Sequence, residues 1–142
     1  MYKFSLQKVL DWRGDQQDEA RLGLIHAKQS LERELNYLQR LIKENVQLKE
    51  KIAVAKRLDV MRQDDLYRRV LNDKIIQQKL IVEQVENDVK RAEEGLLVAY
   101  QDKKVMEKLK EKDEHKFYEE IETTEQKNLD EFATMTFGRA AY

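Results

Sequence analysis

The chain has 142 residues, of which 39% are charged and 41% hydrophobic, with four glycines, no proline, no cysteine and a net charge of −1. The lack of cysteine excludes disulfides and thiolate metal sites. The near-zero charge argues against nucleic acid as the main partner, because such domains carry a basic surplus. A mean hydropathy of −0.82 leaves too little apolar mass for a thick core, and proline, the strongest helix breaker, is missing throughout. These features predict an all-α chain whose long helices share a narrow seam, since only about two residues in seven then need burial.

The first element is predicted as a helix over about 4–57. From Leu6 the seam positions recur at spacings of four and three: Leu6, Leu10, Arg13, Gln17, Ala20, Leu24, Ala27, Leu31, Glu34, Leu38, Leu41, Asn45, Leu48, Ile52 and Ala55. Eleven of these fifteen are apolar, which favours a coiled coil over a solvated single helix. Leu35, Ile42 and Val46 widen the stripe and predict a broader seam there. Trp12 lies just outside the seam, either wedged against the second helix or offered to a partner.

A turn is expected over about 58–65, where Leu58–Asp65 interrupts the stripe and Asp64 or Asp65 can cap a new helix. No glycine or proline marks it, and one continuous helix dimerising with a partner is the alternative. The hairpin is preferred because the two halves carry seams of similar length, so the chain is expected to be monomeric. The second helix is expected over about 66–133, with Leu71, Ile75, Gln78, Val82, Val85, Val89, Ala92, Leu96 and Ala99 in the same spacing. Near Val105 and Leu109 the stripe steps sideways, the mark of a stutter. A frayed tail is expected over 134–142. The whole forms one antiparallel coiled-coil hairpin domain, 1–142, with helices running roughly 80–100 Å at 1.5 Å per residue.

Charge is unevenly spread. Residues 1–57 carry 12 basic and 8 acidic side chains, whereas residues 117–131 carry Lys127 against six acids, a net −5. An antiparallel hairpin would set that acidic stretch beside the start of the first helix, with partial charge complementarity.

No convergent catalytic set stands out, so an enzyme is not expected, and no cofactor or metal is implied. His26 and His115 read as exposed surface histidines, and Gly14, Gly23 and Gly95 form no phosphate-cradling loop. The mixed run Lys103, Lys104, Lys108, Lys110 and Lys112 is interleaved with acids and reads as a solvated face with local ion pairs. The N-terminus has no apolar stretch of the secretory kind and no run approaches the ~20 residues of a membrane span. A soluble, cytoplasmic chain without direct membrane insertion is therefore expected.

Three stretches carry a resemblance. Phe4-x-Leu6-Gln7-Lys8-Val9-Leu10-x-x-Arg13, Lys104-Val105-Met106-Glu107-Lys108-Leu109-Lys110-Glu111-Lys112 and Glu125-Gln126-Lys127-x-x-Asp130-Glu131-Phe132-Ala133 resemble, in order and spacing, the flagellar export protein FliJ family. The resemblance implies a non-enzymatic part of the bacterial flagellar type III export apparatus, peripheral to the inner membrane through protein partners. Those partners would be the hexameric export ATPase, engaged as a central-stalk-like element, the cytoplasmic domain of the export gate protein, and export chaperones. It also implies two candidate surfaces. One, for the ATPase ring, comprises Lys104, Glu107, Lys108, Lys112, Glu125, Gln126, Lys127, Asp130, Glu131 and Phe132; the competing reading has Phe132 closing the helix pair. The other, for the gate, comprises Tyr67, Leu71, Lys74 and Gln78, of which Leu71 and Gln78 also fall in the seam register. A structural coiled-coil scaffold and a central stalk subunit of a rotary ATPase are the alternatives. The latter is weaker, because nothing between residues 56 and 70 supplies the folded portion that such subunits carry.

Overall fold

A computed structural model describes residues 1–140, with side chains through residue 138. The fold is an all-α hairpin of two helices, α1 (Gln7–Ala53) and α2 (Leu58–Ala140), with no strand among the described residues. Packing divides the chain into two units. One joins Met1–Gln17 to the second half of α2 from Ala99; the other is Asp18–Val98.

In the unit 18–98 the helices run antiparallel: Glu34 and Glu44 of α1 meet Gln78 and Tyr67 of α2, one number rising as the other falls. The apolar centre is Leu41, Leu71 and Ile75, with Leu38 and Leu48 packed against it. Val82 and Val89 extend the buried line along α2. Every seam position named for this stretch of α1 or α2 is buried or half-buried, and the register continues back from Leu71 through Arg68, Asp64 and Met61. Leu35, Ile42 and Val46 do not broaden the seam, because all three are exposed. They sit on α1's flank, roughly a quarter-turn or more from the line through Leu41.

The turn lies at residues 54–57, earlier than the expected 58–65. α1 closes with the Ala55 amide donating to the Ile52 carbonyl at 3.2 Å, and α2 opens with the Met61 amide donating to the Arg57 carbonyl at 3.1 Å. Asp59 supplies the acid of α2's first turn and holds Arg57 at 3.2 Å, a favourable charge beside the helix's positive end. Asp64 and Asp65 are not caps. Asp64 sits inside α2 on the seam side, 3.8 Å from Lys51, and Asp65 pairs with Arg69 one turn on. The stripe is interrupted there because polar residues occupy seam positions, not because the helix breaks.

In the unit formed by 1–17 and 99–140, Phe4 is the buried apolar side chain and Gln17 is buried at the unit's edge. The Gln7 amide donates to the Phe4 carbonyl at 3.2 Å and starts α1. The seam register passes from Ala99 through Lys103, Met106 and Lys110, all half-buried, while Val105 and Leu109 are exposed. The stutter therefore falls later than expected, at the added four-residue step from Lys110 to Glu114, after which Phe117 is the next half-buried residue. The helical span of α2 extends past 133 to Ala140; Ala141 and Tyr142, the rest of the tail expected over 134–142, lie outside the described residues.

Candidate partner-binding surfaces

Around α1's start, polar contacts to α2 join the packing of Phe4. Arg13 reaches Asp102 at 2.8 Å, Lys110 donates to the Gln7 side-chain oxygen at 2.8 Å, and the Tyr2 hydroxyl donates to Asp113 at 2.8 Å. The Tyr2 ring also packs against Phe117, with centroids 5.4 Å apart. Partial burial of the phenol, then the hydrogen bond to Asp113, push its pKa up to about 12. Trp12 is not wedged between the helices: it is 52% exposed, with the Arg13 guanidinium 5.3 Å from its ring centroid.

Beyond Phe117, every residue from Tyr118 to Phe137 is exposed. The side-chain hydrogen bonds there stay inside α2: Thr123 and Thr124 donate to the carbonyls of Glu119 and Glu120, Gln126 to Asp130, and Thr134 to the Asp130 carbonyl. The acidic stretch is thus not matched against the start of α1. The cross-helix polar contacts of this unit end at Asp113, before that stretch begins. Apolar side chains are left uncovered along this length, Phe132 at 69% exposure and Ile121, Leu129 and Met135 with it. Phe132 does not close the helix pair.

The ten residues singled out for a ring contact all lie on α2 in this unit. Lys104 is tied to Glu107 at 3.5 Å and lies 5.6 Å from the Tyr100 ring centroid, so this part of the lysine run is a local ion-pair lattice. Lys108 and Lys112 are exposed, as are Glu125, Gln126, Lys127, Asp130 and Glu131. A shallow open groove runs between Phe117, Glu120, Ile121, Thr124 and Glu125.

The four residues singled out for a gate contact separate into two pairs. Leu71 is 1% exposed and Gln78 4%, so both are occupied by α1. Tyr67 and Lys74 are exposed, and Tyr67 donates a hydrogen bond to Glu44; that bond, then the carboxylate's charge, raises the phenol's pKa. The spacing alone missed a further stripe on the outer side of α2: Leu66, Val70, Ile76 and Leu80 are all exposed. At 100° per residue these lie on the face opposite Leu71 and Ile75. The signal was available as apolar residues out of phase with the seam.

His26 and His115 are exposed, the latter 3.7 Å from Glu119. No group of three or more His, Cys, Asp or Glu residues able to hold a metal occurs among the described residues. Among those residues, no helix is long and apolar enough to cross a membrane.

Comparison with known families matches residues 2–141 to the family described as Flagellar FliJ protein. No curated protein and no solved structure matches the chain.

Proposed function

The chain belongs to the flagellar FliJ family, a structural component of the flagellar protein-export apparatus, and from that premise we propose that it binds the hexameric export ATPase through the unpaired end of α2. The observation that carries this reading is the run from Tyr118 to Phe137, helical, exposed on all sides and bearing uncovered apolar groups. A helix that leaves its own partner behind is suited to enter a ring as a central-stalk-like element. Glu125, Gln126, Lys127, Asp130, Glu131 and Phe132 make the contact, with Lys104, Glu107, Lys108 and Lys112 nearer the hairpin. Its mechanism is mass action: a ligand that binds the assembled ring better than free subunits shifts the assembly equilibrium.

The same proposal places the export gate on the unit 18–98. Leu71 and Gln78 hold the hairpin together, so the gate's cytoplasmic domain docks on Tyr67 and Lys74 with the exposed Leu66 and Val70 beside them. Chaperone binding completes the role, and the chain acts as a monomer held at the inner membrane only through these proteins. The seam satisfied within one chain supports the monomeric reading.

ATPase activity of the purified export ATPase, with and without this protein, tests the ring contact. Stimulation that an Asp130→Lys/Glu131→Lys variant loses is the expected result. Equal stimulation by the variant would remove the contact from that stretch; no stimulation by the folded wild-type chain would refute it altogether.

A further inference from the structure

The unpaired part of α2 has a composition that speaks to its partner's chemistry and to its own state when free. Along residues 118–138 the helical repeat lines up Ile121, Phe132 and Met135, with Tyr118 and Leu129 on one shoulder, all of them exposed. Glu120 and Glu131 border this stripe on one side and Glu122 on the other, while Glu125 lies within it. The stripe is therefore mainly apolar, interrupted by Glu125 and Asn128, with acid on both edges, and Lys127 is the single base between residues 117 and 131.

The same features weaken the helix when nothing covers it. Most helical stability in proteins comes from packing an apolar face rather than from propensity, and here the face is bare. Glu122 stands three residues from both Glu119 and Glu125, a repulsive spacing, and Lys127 precedes Glu131 by four, the less favourable order for an ion pair. Thr123, Thr124 and Thr134 are poor helix formers whose hydroxyls bond back to the preceding turn. Residues 38–48 and 71–78, by contrast, hold the buried apolar cluster of the other unit.

We propose that residues 118–138 are a coupled folding-and-binding element, weakly helical in the free chain and ordered by a protein groove with an apolar floor and lysine or arginine on both rims. This deepens the ring reading above and rests on it for the partner's identity, though not for the partner's chemistry. Cations on both rims relieve the glutamate repulsion while the floor covers Ile121 and Phe132, so binding and helix formation stabilise each other. An anionic membrane surface, which the net −5 stretch would avoid, is the wrong partner.

Amide hydrogen exchange on the full chain, read by segment, tests this with three probes: a leucine–lysine amphipathic peptide, a leucine–glutamate peptide of the same pattern, and the assembled export ATPase. In the free chain residues 118–138 should exchange far faster than residues 38–48 and 71–78. The leucine–lysine peptide should slow them by roughly tenfold or more, and the leucine–glutamate peptide should not. A Glu120→Lys/Glu122→Lys/Glu131→Lys variant should lose that slowing while residues 38–48 remain protected, which shows that it folds. Slowing by the leucine–lysine peptide but not by the ATPase supports the inference and counts against the ring reading. Strong protection of 118–138 already in the free chain, or equal slowing by both peptides, would overturn the inference.

Discussion

Gln78 of α2 donates its side-chain amide to Glu34 of α1 twice, at 3.0 Å to the backbone carbonyl and at 2.5 Å to the carboxylate. Gln78 is buried among valines, leucine and isoleucine along its own seam. A polar residue at such a position satisfies its bonds in one register and leaves them unmade in its neighbours, which is how a coiled coil fixes its alignment.

Gln78→Ala should therefore destabilise the hairpin by about 2 kcal/mol, from the lost bonds and the space left behind. Replacing both partners with leucine, Gln78→Leu with Glu34→Leu, should restore most of that loss, because no polar group is then stranded. Urea unfolding midpoints at constant slope measure both; an unchanged midpoint for Gln78→Ala would show that the pair carries no weight.

Leu71 and Val70 are neighbours in sequence with opposite roles. Leu71→Ala removes the most buried side chain of the seam and should cost about 3 kcal/mol. Val70→Ala, on the outer stripe, should stay within about 0.5 kcal/mol. On the reading that the gate docks on this outer face, Val70→Ala with Leu66→Ala should weaken binding to the gate's cytoplasmic domain while helicity by circular dichroism is unchanged.

Tyr2 supplies a pH-dependent contact. Its folded pKa of about 12 lies above the ordinary 10, so the stabilisation is complete below pH 10 and is lost as pH rises through about 12. Absorbance at 295 nm should show a late-ionising phenol that Tyr2→Phe removes. Tyr2→Phe/Tyr67→Phe should reduce the late component further, since Tyr67 is raised by Glu44. A Tyr2→Phe titration superimposable on the wild type would contradict the contact with Asp113.

At the start of α1, Phe4 and not the ion pair should govern attachment. Arg13 and Asp102 are both partly exposed, so a double-mutant cycle should give a coupling under about 1 kcal/mol that declines with salt. Phe4→Ala should release residues 1–17 to rapid amide exchange while residues 38–48 remain protected. Coupled loss of protection in both regions would mean that the two units unfold together.

The heptad spacing made the hairpin and its seam legible, because apolar residues fill most of the inward positions from Leu24 through Ile52 and from Leu71 through Ala99. The turn was not legible, for a conformational reason. No residue of the described chain has a positive φ, so residues 54–57 reverse the chain without the left-handed conformation that would have called for glycine. Asp64 and Arg68 then hid the start of α2 by occupying inward positions that a stripe of apolar residues does not reveal. Lys103 and Lys110 did the same at the far end, where their half-buried stems line the seam and Val105 and Leu109 point the periodicity the wrong way. For the candidate surfaces, the family resemblance singled out the charged stretch 125–132 and spacing set it on the second helix, but only packing separated Tyr67 and Lys74 from Leu71 and Gln78.

The two arms are unequal, 47 residues against 83, and that inequality makes the reach of the unpaired end an adjustable length. Removing one heptad from each arm at matching levels preserves the register of the seam and leaves the free end as long as before. Removing seven residues from α2 alone, between Gln78 and Ala99, shortens the free end by about 10 Å; the same deletion from α1 lengthens it by as much. The difference between the arms is thus a ruler, set independently of the turn and of any residue at the tip.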